Sequence, residues 1–334
     1  MRKLFQKIIG DKNIIFLCLS IIFLILGLIN PKVTIERDIH NYIFVVDISQ
    51  SMLTKDMSIE GKEVSRLDYS KKLLQGIMDQ LPCKTNVSIG MFAGVSVAAT
   101  YTPINICDNY SAVNSTIQHL DWRSVWSGNS RIREGLSNLA RLIRSFPQSA
   151  RVVFLTDGEE APRLHTFNTR DLSKFQGEAD WLMVGIGSEE GSAIPKYDSE
   201  NQLIGFWSVD SFALQPGIAQ ISESNIGARN DSIAFSESDR YISKLNEKYL
   251  IEITSMIKGH YIKGDSVNSV ISKMNTIPPS WRDKSELPLR NLFVTLSLIF
   301  FLLRFNKLLS TISFLKKNKK TIRSEEHTSE LQSR

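Results

Sequence analysis

The sequence predicts an α/β protein: a doubly wound, mostly parallel sheet flanked by one transmembrane helix at each end. Three observations carry this expectation. Apolar runs that end in an acid, Tyr42–Asp47 and Val152–Asp157, read as buried parallel strands. Segments of helical periodicity alternate with such runs. Two strongly apolar stretches, 14–30 and 289–305, bracket the rest.

Taken in order, residues 1–13 carry four bases and one acid and are expected to be cytoplasmic. Ile14–Ile29 holds sixteen uncharged residues; with Asn13 and Asn30 it reaches the short end of a spanning helix. No small-residue cleavage site follows, so 14–30 reads as an uncleaved signal anchor. Tyr42–Asp47 is the first buried strand. Leu67–Leu81 places Leu67, Leu73, Leu74, Ile77, Met78 and Leu81 on one helical side. Val87–Phe92 and Val95–Tyr101 form a hairpin turning at Ala93-Gly94. Ser111–Leu120 is a weaker helix and Ser130–Phe146 a strong one. Val152–Thr156 and Trp181–Ile186 are further strands. Ile194–Trp207 reads as a hairpin around Asp198–Asn201. Tyr241–Ile257 and Ser266–Asn275 read as helices, and Pro278-Pro279 opens a linker.

Leu289–Phe305 has thirteen uncharged residues between Arg290 and Arg304. It is a second membrane helix with snorkelling arginines, or a buried core helix. The six bases without an acid in 304–320 favour the membrane and place 306–322 in the cytoplasm. Residues 31–288 then lie on the other side, in a bacterium the periplasm. Arg323–Arg334 resembles the translation of a sequencing adapter and is expected to take no part in the fold.

The formal net charge of +5 belongs to the ends. Residues 31–303 carry 28 Lys and Arg against 31 Asp and Glu, a mildly acidic globule. That excludes a nucleic-acid groove, which needs clustered bases on the folded domain. Cys18 lies inside the first apolar stretch. A turn centred near residue 95 sets Cys83 opposite Cys107, which predicts a disulfide in an oxidising compartment; two unrelated buried thiols are the alternative. The five histidines are dispersed, and no HExxH, GxSxG or phosphate-binding P-loop occurs. A phosphatase with Asp47 as nucleophile wants a second aspartate two residues on, where this chain has Ser49. The expectation is therefore a protein that is not an enzyme.

The chemistry gathers at the carboxyl ends of the strands, where such folds place their sites. Asp47-Ile-Ser49-Gln-Ser51 follows the first strand and Thr156-Asp157-Gly158-Glu159 a later one. Between them Ser127-Gly128-Asn129-Ser130 opens a helix; Ser130 either caps it or supplies a third oxygen. Hard oxygen ligands with few charges suit Mg²⁺, with Ca²⁺ or Mn²⁺ as alternatives.

This pattern resembles the von Willebrand factor A (VWA) domains, with their Rossmann-like fold and metal-ion-dependent adhesion site. The resemblance covers roughly 40–260. It implies that Ser49 and Ser51 are direct metal ligands, that Asp47 and Asp157 act through water or hydrogen bonds, and that Ser130 stands where the family usually has threonine. Asn129 replaces the usual second glycine. An acidic group of a protein partner would complete the ion. Ser51–Asp56 and Arg66-Leu67-Asp68 look like the bacterial membrane-anchored Bat type. Leu81-Pro82-Cys83, Asp121-Trp122-Arg123, Thr156–Pro162, Ile194–Asp198 and Ile204–Trp207 are similar to MxaL-type proteins of methanol dehydrogenase clusters. That likeness implies maturation of a periplasmic quinoprotein dehydrogenase, with a MoxR-type AAA+ ATPase; a general Bat-type envelope stress scaffold is the alternative. Trp122, Trp126 and Glu159 are the candidate partner contacts, though the tryptophans read equally as packing and Glu159 as a solvated loop residue.

Overall fold

The computed structural model describes residues 12–124, 130–161, 171–172, 175, 180–211 and 232–304. The chain divides into Asp38–Arg282 and a second unit of Met1–Arg37 with Asp283–Arg334.

The larger unit is built on a seven-stranded sheet. Asn41–Asp47, the predicted first strand, lies at its centre and is buried along its whole length. It runs parallel to Asn86–Ala93 on one side and to Arg151–Thr156 on the other. Trp181–Gly185 and then His260–Lys263 continue the parallel order beyond Arg151–Thr156. Ser96–Ala99 and Ile104–Asn105 both pair antiparallel with Asn86–Ala93. The chain thus winds one way from the central strand and later returns to its opposite side. The crevice at the carboxyl end of Asn41–Asp47 is a topological switch point.

Alternation along the strands sends side chains to two cores. Tyr42, Phe44 and Val46 join Ile89, Val153 and Leu155 on one face, under the helices Arg66–Gln80, Tyr110–Gln118 and Val267–Met274. Ile43 and Val45 join Val152, Phe154 and Met183 on the other, under Ile132–Arg144 and Glu247–Met256. Fully burying a single such side chain stabilises by about 1.5–3 kcal/mol.

Local chemistry fixes the element ends. Ser65 caps the first of these helices: its hydroxyl accepts the Asp68 N–H at 3.0 Å and donates to the Asp68 carboxylate at 2.7 Å. Ser266 accepts the Ser269 N–H at 3.2 Å in the same way. The predicted Ala93-Gly94 turn joins Asn86–Ala93 to Ser96–Ala99, with Gly94 at φ 61°. Gly90 faces Ala99 while Val87 faces Ile104, so the returning chain gains two residues and splits into two short strands. Below this shift Cys83 and Cys107 are joined in the predicted disulfide.

Several expectations need correction. The helix expected over Tyr241–Ile257 begins only at Glu247; Ile242–Ser243 instead pairs antiparallel with Ser192–Ala193. The linker expected after Pro278-Pro279 contains the strand Trp281–Pro288, which pairs with Lys32–Ile39. His260–Lys263 and the hairpin Lys55–Ile59 with Lys62–Ser65 were not anticipated.

In the smaller unit the apolar stretches form the helices Lys12–Ile29 and Arg290–Arg304. Ser20 and Ser297 exchange hydroxyl-to-carbonyl hydrogen bonds at 3.0 and 2.9 Å. Phe23 stacks on Phe300 with centroids 5.3 Å apart. Outward-facing Ile21, Ile22, Leu24, Leu28, Leu292, Leu298 and Ile299 are all exposed. Among the described residues no helix is long and apolar enough to cross a membrane. At 1.5 Å per residue, helices of 18 and 15 residues extend about 27 and 22 Å, against about 30 Å of hydrocarbon.

Candidate metal centre

Three chain segments converge at the switch point. The central strand ends in Asp47, and the chain turns through Ile48 and Ser49 into a short helical turn, Gln50–Leu53. The Ile48 N–H bonds to the Phe92 carbonyl at 3.0 Å, which holds this loop against the neighbouring strand. Ser130 bridges Gly94 and Ala161: the Arg131 N–H reaches the Gly94 carbonyl at 2.7 Å, and the Ala161 N–H reaches the Ser130 carbonyl at 2.8 Å. Ser130 is thereby fixed between the segments that leave the two strands flanking Asp47. Asp157 directly follows Arg151–Thr156.

The predicted ligand set is buried throughout. Asp47 and Asp157 are fully inaccessible, Ser49 and Ser130 nearly so, and Ser51 is 7% exposed. The Ser49 and Ser51 hydroxyls lie 3.2 Å apart. Asp47 accepts the Ser49 N–H at 2.9 Å on one oxygen and the Thr156 hydroxyl at 2.7 Å on the other. Burial raises the Asp47 carboxyl above the usual range, and the neighbouring Asp157 charge raises it further; bonds from Ser49 and Thr156 oppose this. The Ser130 hydroxyl is buried and makes no hydrogen bond among the described residues. The capping role open for it in the sequence is not taken: Arg131 precedes the helix Ile132–Arg144 and no side chain caps it.

These observations fit a hard divalent cation. The buried Asp47 carboxylate, bonded by the neutral Ser49 and Thr156, and the orphaned buried Ser130 hydroxyl are each costly in a low-dielectric interior. An ion held by Ser49, Ser51 and Ser130, with Asp47 and Asp157 behind them, would relieve both. The chain supplies neutral oxygens toward the ion, so Mg²⁺ or Mn²⁺ completed by water suits the donor set. Among the described residues no three His, Cys, Asp or Glu side chains form a metal cluster; the donors here are mainly hydroxyls.

Asp157 has a partner that the sequence did not reveal. Arg66, wholly buried, gives Nη1 to Asp157 Oδ2 at 2.8 Å and to the Ser243 hydroxyl at 2.7 Å. Its Nε and Nη2 grip Asp56 at 2.6–3.1 Å, and Nη2 also reaches the Ser243 carbonyl at 3.0 Å. The other Asp157 oxygen accepts the Glu159 N–H at 3.0 Å. Gly187, at φ 130°, leaves room for the guanidinium: a Cβ there would stand 2.8 Å from Arg66 Nε. Arg66 opens a capped helix and Asp56 lies in the unanticipated hairpin, so only the tertiary fold brings them to Asp157.

The proposed partner contacts divide. Glu159 is part-buried and accepts the Lys244 N–H at 3.2 Å. Its carboxyl is raised by burial and by the Asp157 charge. With Glu160, Tyr241, Lys244 and Tyr249 it lines a cavity of about 570 Å³. Trp122 is half-buried against the core, with its ring centroid 6.1 Å from that of Tyr197. Trp126 lies outside the described residues, as do Gly128 and Asn129.

A doubly wound sheet with hydroxyls and carboxylates at its switch point defines a class of fold and site, and one family model matches this part of the chain. Residues 42–160 match the model of the von Willebrand factor type A domain. Among solved structures it is similar to an aerotolerance-related membrane protein from Bacteroides fragilis, at 21% identity over 71% of this chain and 98% of that one, TM-score 0.48. It is also similar to the conserved hypothetical protein BatB from Bacteroides thetaiotaomicron, at 18% identity over 71% and 98%, TM-score 0.49. The comparison with curated proteins finds no match.

Proposed function

We propose that this VWA domain binds a protein partner through a divalent cation, bridged to an acidic side chain of that partner. The observation that carries the reading is the Ser130 hydroxyl, buried without a hydrogen bond beside loops that bring Ser49 and Ser51 together. Ser49, Ser51 and Ser130 would hold the ion directly, and Asp47 and Asp157 through water. The ion supplies Lewis acidity toward a carboxylate. The chain's own part is to orient the hydroxyls toward the ion. An ion with mainly neutral ligands gains strongly from an incoming negative group.

We read the two apolar helices as membrane anchors and the domain between them as periplasmic. Their exposed isoleucines and leucines need an apolar surrounding, and the Cys83–Cys107 disulfide suits an oxidising compartment. The MxaL-type motifs make a periplasmic quinoprotein dehydrogenase the first partner to test, with a role in its metal insertion or maturation. The second reading, a general envelope scaffold working with a MoxR-type ATPase, follows from the Bat-type motifs around Ser51 and Arg66. The deciding experiment is calorimetric titration of Mg²⁺ into the full chain in mild detergent, then of the dehydrogenase. Metal-dependent capture lost in Ser51→Ala supports the reading. Capture that persists in Ser51→Ala or in chelator overturns the metal bridge.

A further inference from the structure

We propose that Arg66 is the positioning residue of the metal centre: it occupies Asp157 Oδ2 and so withholds that oxygen from the cation, with Asp56 as its counterweight outside the site. This rests on the metal-bridge reading above and deepens it.

The geometry assigns the role. Arg66 touches both carboxylates at once, Nη1 to Asp157 at 2.8 Å and Nη2 to Asp56 at 2.6 Å. All three side chains are 4% exposed or less, so water does not dilute the coupling. Asp56 is itself held by the Ser188 N–H at 3.0 Å and the Ser188 hydroxyl at 3.1 Å. The guanidinium is therefore bonded on three sides, by Asp56 of the Lys55–Ile59 strand, by Asp157 and by Ser243.

The consequence is electrostatic. With Oδ2 engaged by Arg66 and Oδ1 by the Glu159 N–H, Asp157 is tied down at both oxygens. A cation at the hydroxyls then draws little charge from Asp157, and a carboxylate brought by a partner supplies what the chain holds back. Arg66 thus sets how strongly the ion depends on its partner. Its neighbour Asp56, which makes no bond to the hydroxyl set, tunes that setting.

The test is Mn²⁺ binding to the full chain in mild detergent, followed by the electron paramagnetic resonance of free Mn²⁺, with and without added acetate. Asp56→Asn leaves the Arg66 charge resting on Asp157 alone and is expected to weaken Mn²⁺ binding about tenfold. Asp56→Asn combined with Arg66→Gln frees Asp157 and is expected to tighten it about tenfold and to reduce the acetate enhancement. Arg66→Lys keeps the charge and is expected to stay within about threefold of wild type. A residue needed only for folding would lower the melting temperature in all three without shifts of opposite sign. Equal Mn²⁺ binding by wild type and folded Asp56→Asn overturns the proposal, even where the double variant fails to fold. Absence of Mn²⁺ binding by the wild type overturns the metal reading and this proposal with it.

Discussion

At the scale of single residues, the Ser130 hydroxyl gives the sharpest prediction. Ser130→Ala removes a buried oxygen that has no hydrogen-bond partner among the described residues. Without metal the variant is expected to be as stable as wild type or up to about 1 kcal/mol more stable. Its affinity for Mg²⁺ should collapse in the same titration. A variant that loses stability without metal would show that Ser130 has an internal partner.

Glu160 supplies a pH signature. Burial raises its carboxyl to about 7 from an ordinary 4.5, against the lowering effect of the Tyr249 hydroxyl and the Arg133 N–H. A raised folded-state pKa favours the fold fully below pH 4.5. That advantage is lost as pH rises through 7, a swing of about 3 kcal/mol at 1.36 kcal/mol per unit. Denaturant melts at pH 5 and pH 8 should therefore differ more in wild type than in Glu160→Gln, with the wild type relatively weaker at pH 8. The same pH response in both would remove Glu160 as the cause.

At the scale of elements, the Cys83–Cys107 bridge closes a loop with a sequence separation of 24. Chain-entropy reasoning gives about 3 kcal/mol for such a loop, so Cys83→Ser and reductant should each lower the melting temperature by a similar amount. A helix glycine offers the reverse of the usual rule. Gly135 lies inside Ile132–Arg144, where alanine would ordinarily gain about 1 kcal/mol. A Cβ there would stand 2.4 Å from the Phe92 ring, between helix and sheet. Gly135→Ala is thus expected to destabilise, read as a lower denaturant midpoint.

Element by element, the sequence exposed those parts whose signal is local. Asp47 and Asp157 stood out because each ends an apolar run, and the Ala93-Gly94 turn fixed the hairpin that led to the cysteines. The Lys55–Ser65 hairpin carried its own signal: Glu60 and Gly61 both take positive φ, at 51° and 79°, the pattern of a two-residue hairpin turn. His260–Lys263 is four residues between Gly259 and Gly264, too short to show a period. Arg66 was hidden for another reason. A buried arginine is costly until its acids arrive, and they arrive from Asp56 and Asp157, ten and ninety-one residues away.

At the scale of the whole molecule, the exposed apolar faces of Lys12–Ile29 and Arg290–Arg304 and the interior Ser20–Ser297 pair predict how the chain fractionates. The full chain should co-sediment with vesicles of neutral lipid and resist alkaline extraction. Release into the supernatant at high pH would count against embedding.

The central strand carries one more consequence. Within the larger unit Asn41–Asp47 starts beside the last residues of the domain, where the Asn41 N–H meets the Ser280 hydroxyl at 3.0 Å, and it ends at the candidate metal centre. A tug between the chain's point of entry and an object gripped at Asp47 would run along this single strand. Its two parallel neighbours are in unbroken register over Tyr42–Val46. Their hydrogen bonds would be sheared side by side and would give way together, not peeled one after another. The domain is therefore expected to be stiff and force-resistant along this line, and optical-tweezer pulling from residue 41 and from the Asp47 loop would register that resistance as a single abrupt rupture.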